Sequence, residues 1–302
     1  MRHSSFHNTS YATAALAILE VSGGNCTVAA ETLGIQPRVM QRWAKRLQEP
    51  AQASPIKLLF LDIETAPNTS FTWGLHNQFV GLDQIVEPGY TLCFAAKWLG
   101  SPDVMFHSRL ADGPVGLAHA AWNLLDKADV VCTYNGKKFD LPVLKRDFLL
   151  HSLTPPFPTH SVDLYQTVRS QFRFASNKLD FVAQQLGCGA KVQHKGMDLW
   201  SECMRGQPEA WAHMEAYNRQ DVTLLESLYW RLLPFIKGHP NRGLWIQSEE
   251  LTCPHCGSHK MVETQPVHKL MHSYKGYMCQ DCGAHSSSRL CTGKPAGGVL
   301  RV

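Results

Sequence analysis

The sequence has 302 residues, of which 44% are hydrophobic and 18% are charged, as in an ordinary soluble globular protein. Its formal net charge of +4 permits a polyanionic partner without requiring one, and its length suits one core of ~150–200 residues with small appended units. No apolar run reaches about 18 residues and residues 1–10 lack the apolar stretch of a secretory signal, which excludes a membrane-spanning helix and predicts a cytoplasmic protein.

Residues 1–50 are predicted to form a small all-α unit. Helical apolar patterns cover residues 11–21, 28–33 and 38–47, and Thr27 can cap the second helix. This arrangement resembles a helix-turn-helix, whose third helix would expose side chains suited to contact with DNA: Arg38, Gln41, Arg42, Lys45 and Arg46. A helical bundle with a solvated basic face is the alternative. Residues 49–55 form a predicted linker.

Residues 56–237 are predicted to form an α/β domain. Apolar runs predict strands at residues 56–63, 90–98, 104–107, 130–134 and 161–164. Helical patterns occupy residues 111–127, 141–150, 178–186 and 208–235. Because strands come first and strand–helix alternation follows, we expect a mixed sheet flanked by helices.

Two acids interrupt the first predicted strand of this domain. Asp62 and Glu64 alternate with apolar residues, so both side chains point to the same face of the strand. Burial of two neighbouring carboxylates is unfavourable unless a divalent cation neutralises them. The pair therefore indicates a metal site, unless the two acids mark a strand end in solvent.

A second cluster of polar residues follows the fourth predicted strand. Its amide and basic side chains, Asn135, Lys137 and Lys138, are candidates for contact with nucleic acid, although two lysines can also be an ordinary solvated pair. Asp140 comes next, at the start of a predicted helix, and is a candidate metal ligand or a simple N-cap. We interpret Asp163, at a later strand-to-helix junction, as a structural cap.

The third motif lies on the long helix predicted over residues 208–235, where Tyr217 and Asp221 are four residues apart and share one face. Together the three motifs resemble the DEDD superfamily of 3′–5′ exonucleases, which has a ribonuclease H-like fold, in its tyrosine-containing (DEDDy) subgroup. Asp62 and Glu64 match the first motif, Asp140 the second, and Tyr217 with Asp221 the third. The resemblance covers residues 56–235 and is nearest to the predicted ribonuclease H-like exonucleases of bacteria and phages.

The resemblance implies a two-metal mechanism with Mg²⁺ or Mn²⁺, because both ions prefer oxygen ligands. Asp62 would bridge the two ions, and Glu64 and Asp221 would complete one site. Asp140 would hold the second ion, directly or through water. Tyr217 would orient the attacking water.

The C-terminal part carries two Cys-x-x-Cys-Gly knuckles, at residues 253–257 and 279–283. Two such turns, separated by a hairpin-length segment, are typical of a zinc ribbon in which four thiolates hold one structural Zn²⁺: Cys253, Cys256, Cys279 and Cys282. Disulfides are the alternative, which the absence of a secretory context disfavours. We expect the ribbon to span residues 251–287 and residues 288–302 to form a disordered tail.

The sequence thus predicts a metal-dependent 3′–5′ exonuclease that acts on nucleic acid, with DNA favoured over RNA. Two alternatives stay open. A transposase- or resolvase-like nuclease combines the same kinds of module, and a DNA-binding regulator can keep a nuclease core that has lost its activity. The Asp-x-Glu pair and Tyr217 favour the exonuclease over the first, and the presence of every expected acid argues against the second.

Overall fold

The computed structural model of the chain describes residues 18–19, 21–33, 37, 40–41, 56–74, 76–157, 159–193, 195–246, 248–269 and 272–293. In the N-terminal part, helix α1 spans Cys26–Leu33. The Asn25 side chain accepts hydrogen bonds from the backbone N–H groups of residues 27 and 28, so Asn25 rather than Thr27 caps this helix. Gln41 is exposed. The basic residues of the predicted third helix lie outside the described residues: Arg38, Arg42, Lys45 and Arg46.

A five-stranded mixed sheet forms the centre of the main domain. Its strands are β1 (Leu58–Thr65), β4 (Thr91–Trp98), β5 (Val104–Ser108), β6 (Val130–Thr133) and β7 (His160–Asp163), and the short strands β2 (Thr69–Ser70) and β3 (Ile85–Glu87) form a separate pair. The order is β5-β4-β1-β6-β7, with β1, β4 and β5 antiparallel and β1, β6 and β7 parallel. β1 is therefore the central strand.

Helices flank this sheet, as the predicted α/β class requires. They are α2 (Arg109–Lys127), α3 (Asp140–Leu150), α4 (Leu164–Gln171), α5 (Leu179–Gln185), α6 (Met197–Met204) and α7 (Pro208–Leu232). Alternation along β1 divides the core, because Leu59, Leu61 and Ile63 pack with α2 and α3, whereas Leu58 and Phe60 pack with α7. None of the described helices combines the length and the apolar composition that a membrane crossing requires.

A second, three-stranded sheet carries the two cysteine knuckles. After the short helix α8 (Gly243–Ile246), strands β8 (Met261–His268), β9 (Ser273–Cys279) and β10 (His285–Cys291) pair antiparallel in the order β10-β9-β8. The sheet continues past residue 287, the predicted end of the ribbon, because residues 288–291 belong to strand β10 rather than to the predicted disordered tail. This Ser-rich strand pairs with β9 through backbone hydrogen bonds. Its polar side chains give no apolar pattern from which a strand could be predicted.

Candidate active site and metal centre

The two acids of β1 lie on the face of the sheet that α7 covers. β1 stays paired with β4 as far as Thr65, so Asp62 and Glu64 stand inside the strand rather than at an end in solvent. Asp221 approaches from α7, and one carboxylate oxygen of each of these three acids lies within 4.8 Å of the others. We call Asp62, Glu64 and Asp221 the carboxylate cluster.

Asp140 lies beside this cluster without joining it. It is the first residue of α3 and is buried, and its Oδ1 accepts a hydrogen bond of 3.2 Å from the N–H of Ile63, between the two acids of β1. Phe139 occupies the N-cap position of α3, so Asp140 is not the cap of this helix. Its carboxylate is close enough to Asp62 to raise the pKa of that acid by repulsion.

The loop before α3 is fixed by Asp163. The Asp163 carboxylate accepts hydrogen bonds from the N–H groups of Asn135 (2.9 Å) and Lys137 (3.2 Å) and also caps α4, which confirms its predicted structural role. Asn135 has a φ of 68°, and a Cβ on Gly136 would stand 2.4 Å from the Thr133 side chain, so the turn is tightly constrained. Asn135 is half-buried, and Lys137 and Lys138 are exposed.

Asn218 holds Asp62 from α7. Its Nδ2 donates to Asp62 Oδ2 at 2.7 Å and to the Asp62 carbonyl oxygen at 3.3 Å, and the residue is completely buried. The amide thus ties the carboxylate of β1 to the helix that carries Asp221. Because an amide donor carries no net charge, it fixes the carboxylate without neutralising it.

Lys191 contacts the other side of the cluster. It lies in the segment between α5 and α6, and its Nζ donates to Asp221 Oδ2 and, at 3.0 Å, to Tyr217 Oη. Asp180 accepts from the backbone N–H of Lys191 at 3.0 Å and fixes this segment. The Trp200 ring packs edge-on against Tyr217, with 6.1 Å between ring centroids, and its side chain hydrogen-bonds Glu64.

Burial raises the pKa of the acids around the cluster. For Asp62, burial is the largest cause and repulsion from Asp140 the next, and the pKa lies well above the ordinary value. Burial, followed by repulsion from Asp221, raises the pKa of Glu64 to about 7, and burial raises the pKa of Asp140 to about 7. Burial also raises the pKa of Asp221, although Lys191 opposes the shift.

The cluster has the properties of a divalent-cation site. Three carboxylate oxygens converge, and Asp221 Oδ1 is buried without a hydrogen-bond partner among the described residues. A buried anionic oxygen without a donor is unfavourable unless a cation approaches it. Oxygen ligands of this kind suit Mg²⁺ or Mn²⁺.

Sequence reasoning missed three residues of this site. Asn218 was detectable, because it stands three residues before Asp221 and so shares the buried face of α7. Lys191 and Trp200 carried no comparable signal, since they come from a separate loop and helix that only the tertiary fold brings to Tyr217.

The four knuckle cysteines form a second potential metal centre. Their Sγ atoms lie within 4.8 Å of one another, with 3.6 Å between Cys253 and Cys282 and 3.5 Å between Cys256 and Cys279. A disulfide requires about 2.05 Å, whereas sulfurs around a tetrahedral zinc with bonds of about 2.3 Å stand about 3.8 Å apart. The geometry therefore fits Zn²⁺ and not disulfides, and all four thiols are free.

Comparison with known proteins supports the fold assignment. A model of the RNase H superfamily matches residues 59–233, which is more than half of the chain. No curated protein matches the chain. Among solved structures, the family B DNA polymerase from the hyperthermophilic archaeon Pyrobaculum calidifontis is 16% identical over 74% of this chain, with a TM-score of 0.47. The match covers 32% of the polymerase, so the chain spans about a third of that protein's length.

The raised carboxylate pKa values predict how stability depends on pH and on Mg²⁺. Unfolded carboxyls release protons near pH 4, whereas Glu64 and Asp140 keep theirs to about pH 7, so the free energy of unfolding without Mg²⁺ falls as pH rises through this window. Added Mg²⁺ favours the ionised carboxylates and should raise the melting temperature most above about pH 7. Thermal melts across this range, with zinc left in place, measure both effects.

Glu64→Gln removes one of the titrating ligands and should shrink the Mg²⁺-dependent rise. Asp103→Asn is the matched control, because Asp103 is an exposed acid in the turn between β4 and β5. An equal Mg²⁺ effect in wild type and Glu64→Gln would contradict the assignment of Glu64 to a cation site.

Purified protein should contain about one zinc ion per chain, held by the four knuckle thiolates. Cys253→Ser should lose this zinc, because a hydroxyl does not replace a thiolate ligand. Elemental analysis of protein prepared without chelators measures the content. Cys291→Ser is the matched control, since Cys291 is an exposed cysteine of the same sheet outside the four-cysteine group, and it should retain zinc.

Proposed function

We propose that this chain, which belongs to the RNase H superfamily, is a metal-dependent 3′–5′ exonuclease of the DEDDy type that acts on nucleic acid, preferentially DNA. The observation that carries the proposal is the carboxylate cluster with Tyr217 beside Asp221. An RNase H-like nuclease domain supports phosphodiester hydrolysis in general. The carboxylate cluster and Tyr217 support the more specific proposal of a 3′–5′ exonuclease.

The acids divide into two sets of ligands in this proposal. Asp62, Glu64 and Asp221 would hold one Mg²⁺ or Mn²⁺ ion, and Asp62 with Asp140 would hold a second, directly or through water. Two bound ions would neutralise the phosphate, activate water and stabilise the leaving oxygen. Asn218 keeps the Asp62 carboxylate oriented, which would help that carboxylate to hold both ions.

Tyr217 would orient the attacking water rather than take its proton. Burial raises the pKa of the Tyr217 hydroxyl above its ordinary value, so the hydroxyl stays protonated at neutral pH. Lys191 donates to Tyr217 Oη and occupies one lone pair. The Tyr217 side chain also hydrogen-bonds Asp221, and a phenolic oxygen has a second lone pair that would accept a hydrogen bond from the attacking water.

The flanking units are proposed to bind nucleic acid or support the domain that does. The organisation would be a helix-turn-helix over residues 1–50, the nuclease domain over 56–237 and a zinc ribbon from 251 to the end of β10. Exposed Lys137 and Lys138, on the loop before α3, would meet phosphates of the substrate, together with half-buried Asn135.

End-labelled DNA and RNA oligonucleotides test the reaction. With Mg²⁺ or Mn²⁺ we expect mononucleotides released progressively from the 3′ end, and faster from DNA than from RNA. Asp62→Asn should abolish release without unfolding the protein, because it removes the central ligand charge at almost constant volume. Asp103→Asn should retain wild-type turnover. Internal nicks or strand joining would instead indicate a transposase- or resolvase-like nuclease, and no metal-dependent turnover would indicate a regulator.

Tyr217→Phe should separate the rate of cleavage from metal affinity and stability. Loss of a positioned catalytic group costs ~10²–10⁴-fold in rate. Loss of a merely structural hydroxyl costs about 0.5–1.5 kcal/mol of stability with near-normal turnover. Single-turnover cleavage, metal titration and thermal melts of the same samples distinguish the two.

Tyr229→Phe is the matched control for this experiment. Tyr229 is a fully buried tyrosine on the same helix, and its Oη hydrogen-bonds His239 Nε2 at 2.8 Å. Its substitution should lower stability and leave the rate of cleavage unchanged. Wild-type rates for Tyr217→Phe would refute the assigned role.

A further inference from the structure

Arg242 lies between the nuclease domain and the cysteine centre. Its backbone N–H donates to the carbonyl oxygen of Pro254, inside the first knuckle, at 2.9 Å. A Cβ built on Gly257, the residue after Cys256, would stand 3.8 Å from Arg242 Nε. The Arg242 side chain therefore runs along the knuckle that supplies Cys253 and Cys256.

The Arg242 guanidinium is buried at two of its nitrogens without a partner. Nε and Nη1 make no hydrogen bond to any described residue, and Arg242 forms no ion pair within the described part of the chain. A guanidinium stays charged at every physiological pH. Arg242 is half-buried, and burial of two guanidinium nitrogens without acceptors is unfavourable, so an anion at this position would stabilise it.

The neighbouring groups of the nuclease domain do not supply that anion. His239 uses Nε2 to contact the Tyr229 hydroxyl and Nδ1 to contact the carbonyl oxygen of Pro240, so both side chains already have partners other than Arg242. His255 packs against His239 with 5.7 Å between ring centroids, and its side chain hydrogen-bonds Cys253.

The thiols of the adjacent knuckles become anionic when they bind a metal. Four thiolates around one Zn²⁺ carry a net charge of −2, and outer groups that donate to or neutralise such a centre raise its metal affinity. We propose that Arg242 is the counter-charge of a zinc–thiolate centre and thereby couples metal loading of the ribbon to its attachment on the nuclease domain.

The packing around Arg242 shows which part of the nuclease domain the ribbon contacts. Cys256, Cys282 and Trp245 pack against the apolar cluster that contains Tyr229 and Leu228 of α7. Zinc binding would then give Arg242 its partner and hold the knuckles on the end of α7. This inference rests on the ribbon's metal site and is independent of the exonuclease activity.

The experiment uses the full chain and three variants. Arg242→Met removes the charge and keeps much of the volume, Arg242→Lys keeps a charge, and Lys260→Met is the matched control. Lys260 is a cation of the same ribbon, but its ion pair with Asp281 is solvent-exposed. Zinc affinity is measured by competition with a chromogenic chelator, and melting temperature is measured with and without zinc.

We expect Arg242→Met to weaken zinc binding by about 10–100-fold and Lys260→Met to leave it unchanged. Arg242→Lys should recover part of the loss. In the zinc-free protein, Arg242→Met should melt at or above the wild-type temperature, because two buried guanidinium nitrogens without acceptors are gone. In the zinc-loaded protein it should melt lower, so the zinc-induced rise shrinks.

Three results would overturn the proposal. One is wild-type zinc affinity in a folded Arg242→Met protein. Another is an equal fall in melting temperature with and without zinc, which a purely structural packing role would give. The third is the absence of any zinc-dependent rise in the wild type. If Arg242→Met fails to fold, the same comparison is made with Arg242→Lys, whose zinc affinity must lie below that of the wild type.

Discussion

The main domain is organised around carboxylates that cluster between the central strand of its sheet and helix α7. Asp62 and Glu64 interrupt the central strand of the sheet, and Asp221 meets them from the helix that covers it. Their pKa values are raised because burial and mutual repulsion both oppose ionisation. Such an arrangement lowers the stability of the folded chain by itself and persists only where a cation, or a task that needs one, compensates for it.

The rest of the domain limits how these charges can relax. β4 pairs with β1 from Leu59 to Thr65 and so holds the two acids on the face of the sheet that α7 covers. Asn218 holds Asp62 on one side, and the Ile63 peptide holds Asp140 on the other. The Lys191 ammonium balances Asp221, so the cluster without a divalent ion already contains one positive charge. A cation entering the cluster therefore competes with Lys191 for Asp221, which favours a divalent ion over a monovalent one.

The sequence reveals those features of the fold that a local pattern dictates. Alternation predicted the face shared by Asp62 and Glu64, and helical spacing predicted that of Tyr217 and Asp221, because both follow from backbone geometry alone. The helices α4 and α6 escaped prediction because they are short, with eight residues each, and α4 is largely polar. Strand β10 is Ser-rich and held by backbone pairing, so it carried no apolar signal. Lys191 and Trp200 reach the site only through long-range packing, which the periodicity of apolar residues in the sequence does not predict.

Helix α7 contacts both potential metal centres. Tyr217 and Asp221 face the carboxylate cluster, and the helix rises about 18 Å from residue 217 to residue 229, where the ribbon packs. Tyr229 also packs edge-on against Phe60, with 5.4 Å between ring centroids, and Phe60 precedes Asp62 by two residues on β1. A change in how the ribbon packs on Tyr229 would therefore be transmitted to the carboxylate cluster through helix α7 and strand β1. Because close-packed interiors transmit strain, loss of zinc is expected to alter Mg²⁺ affinity as well as ribbon stability.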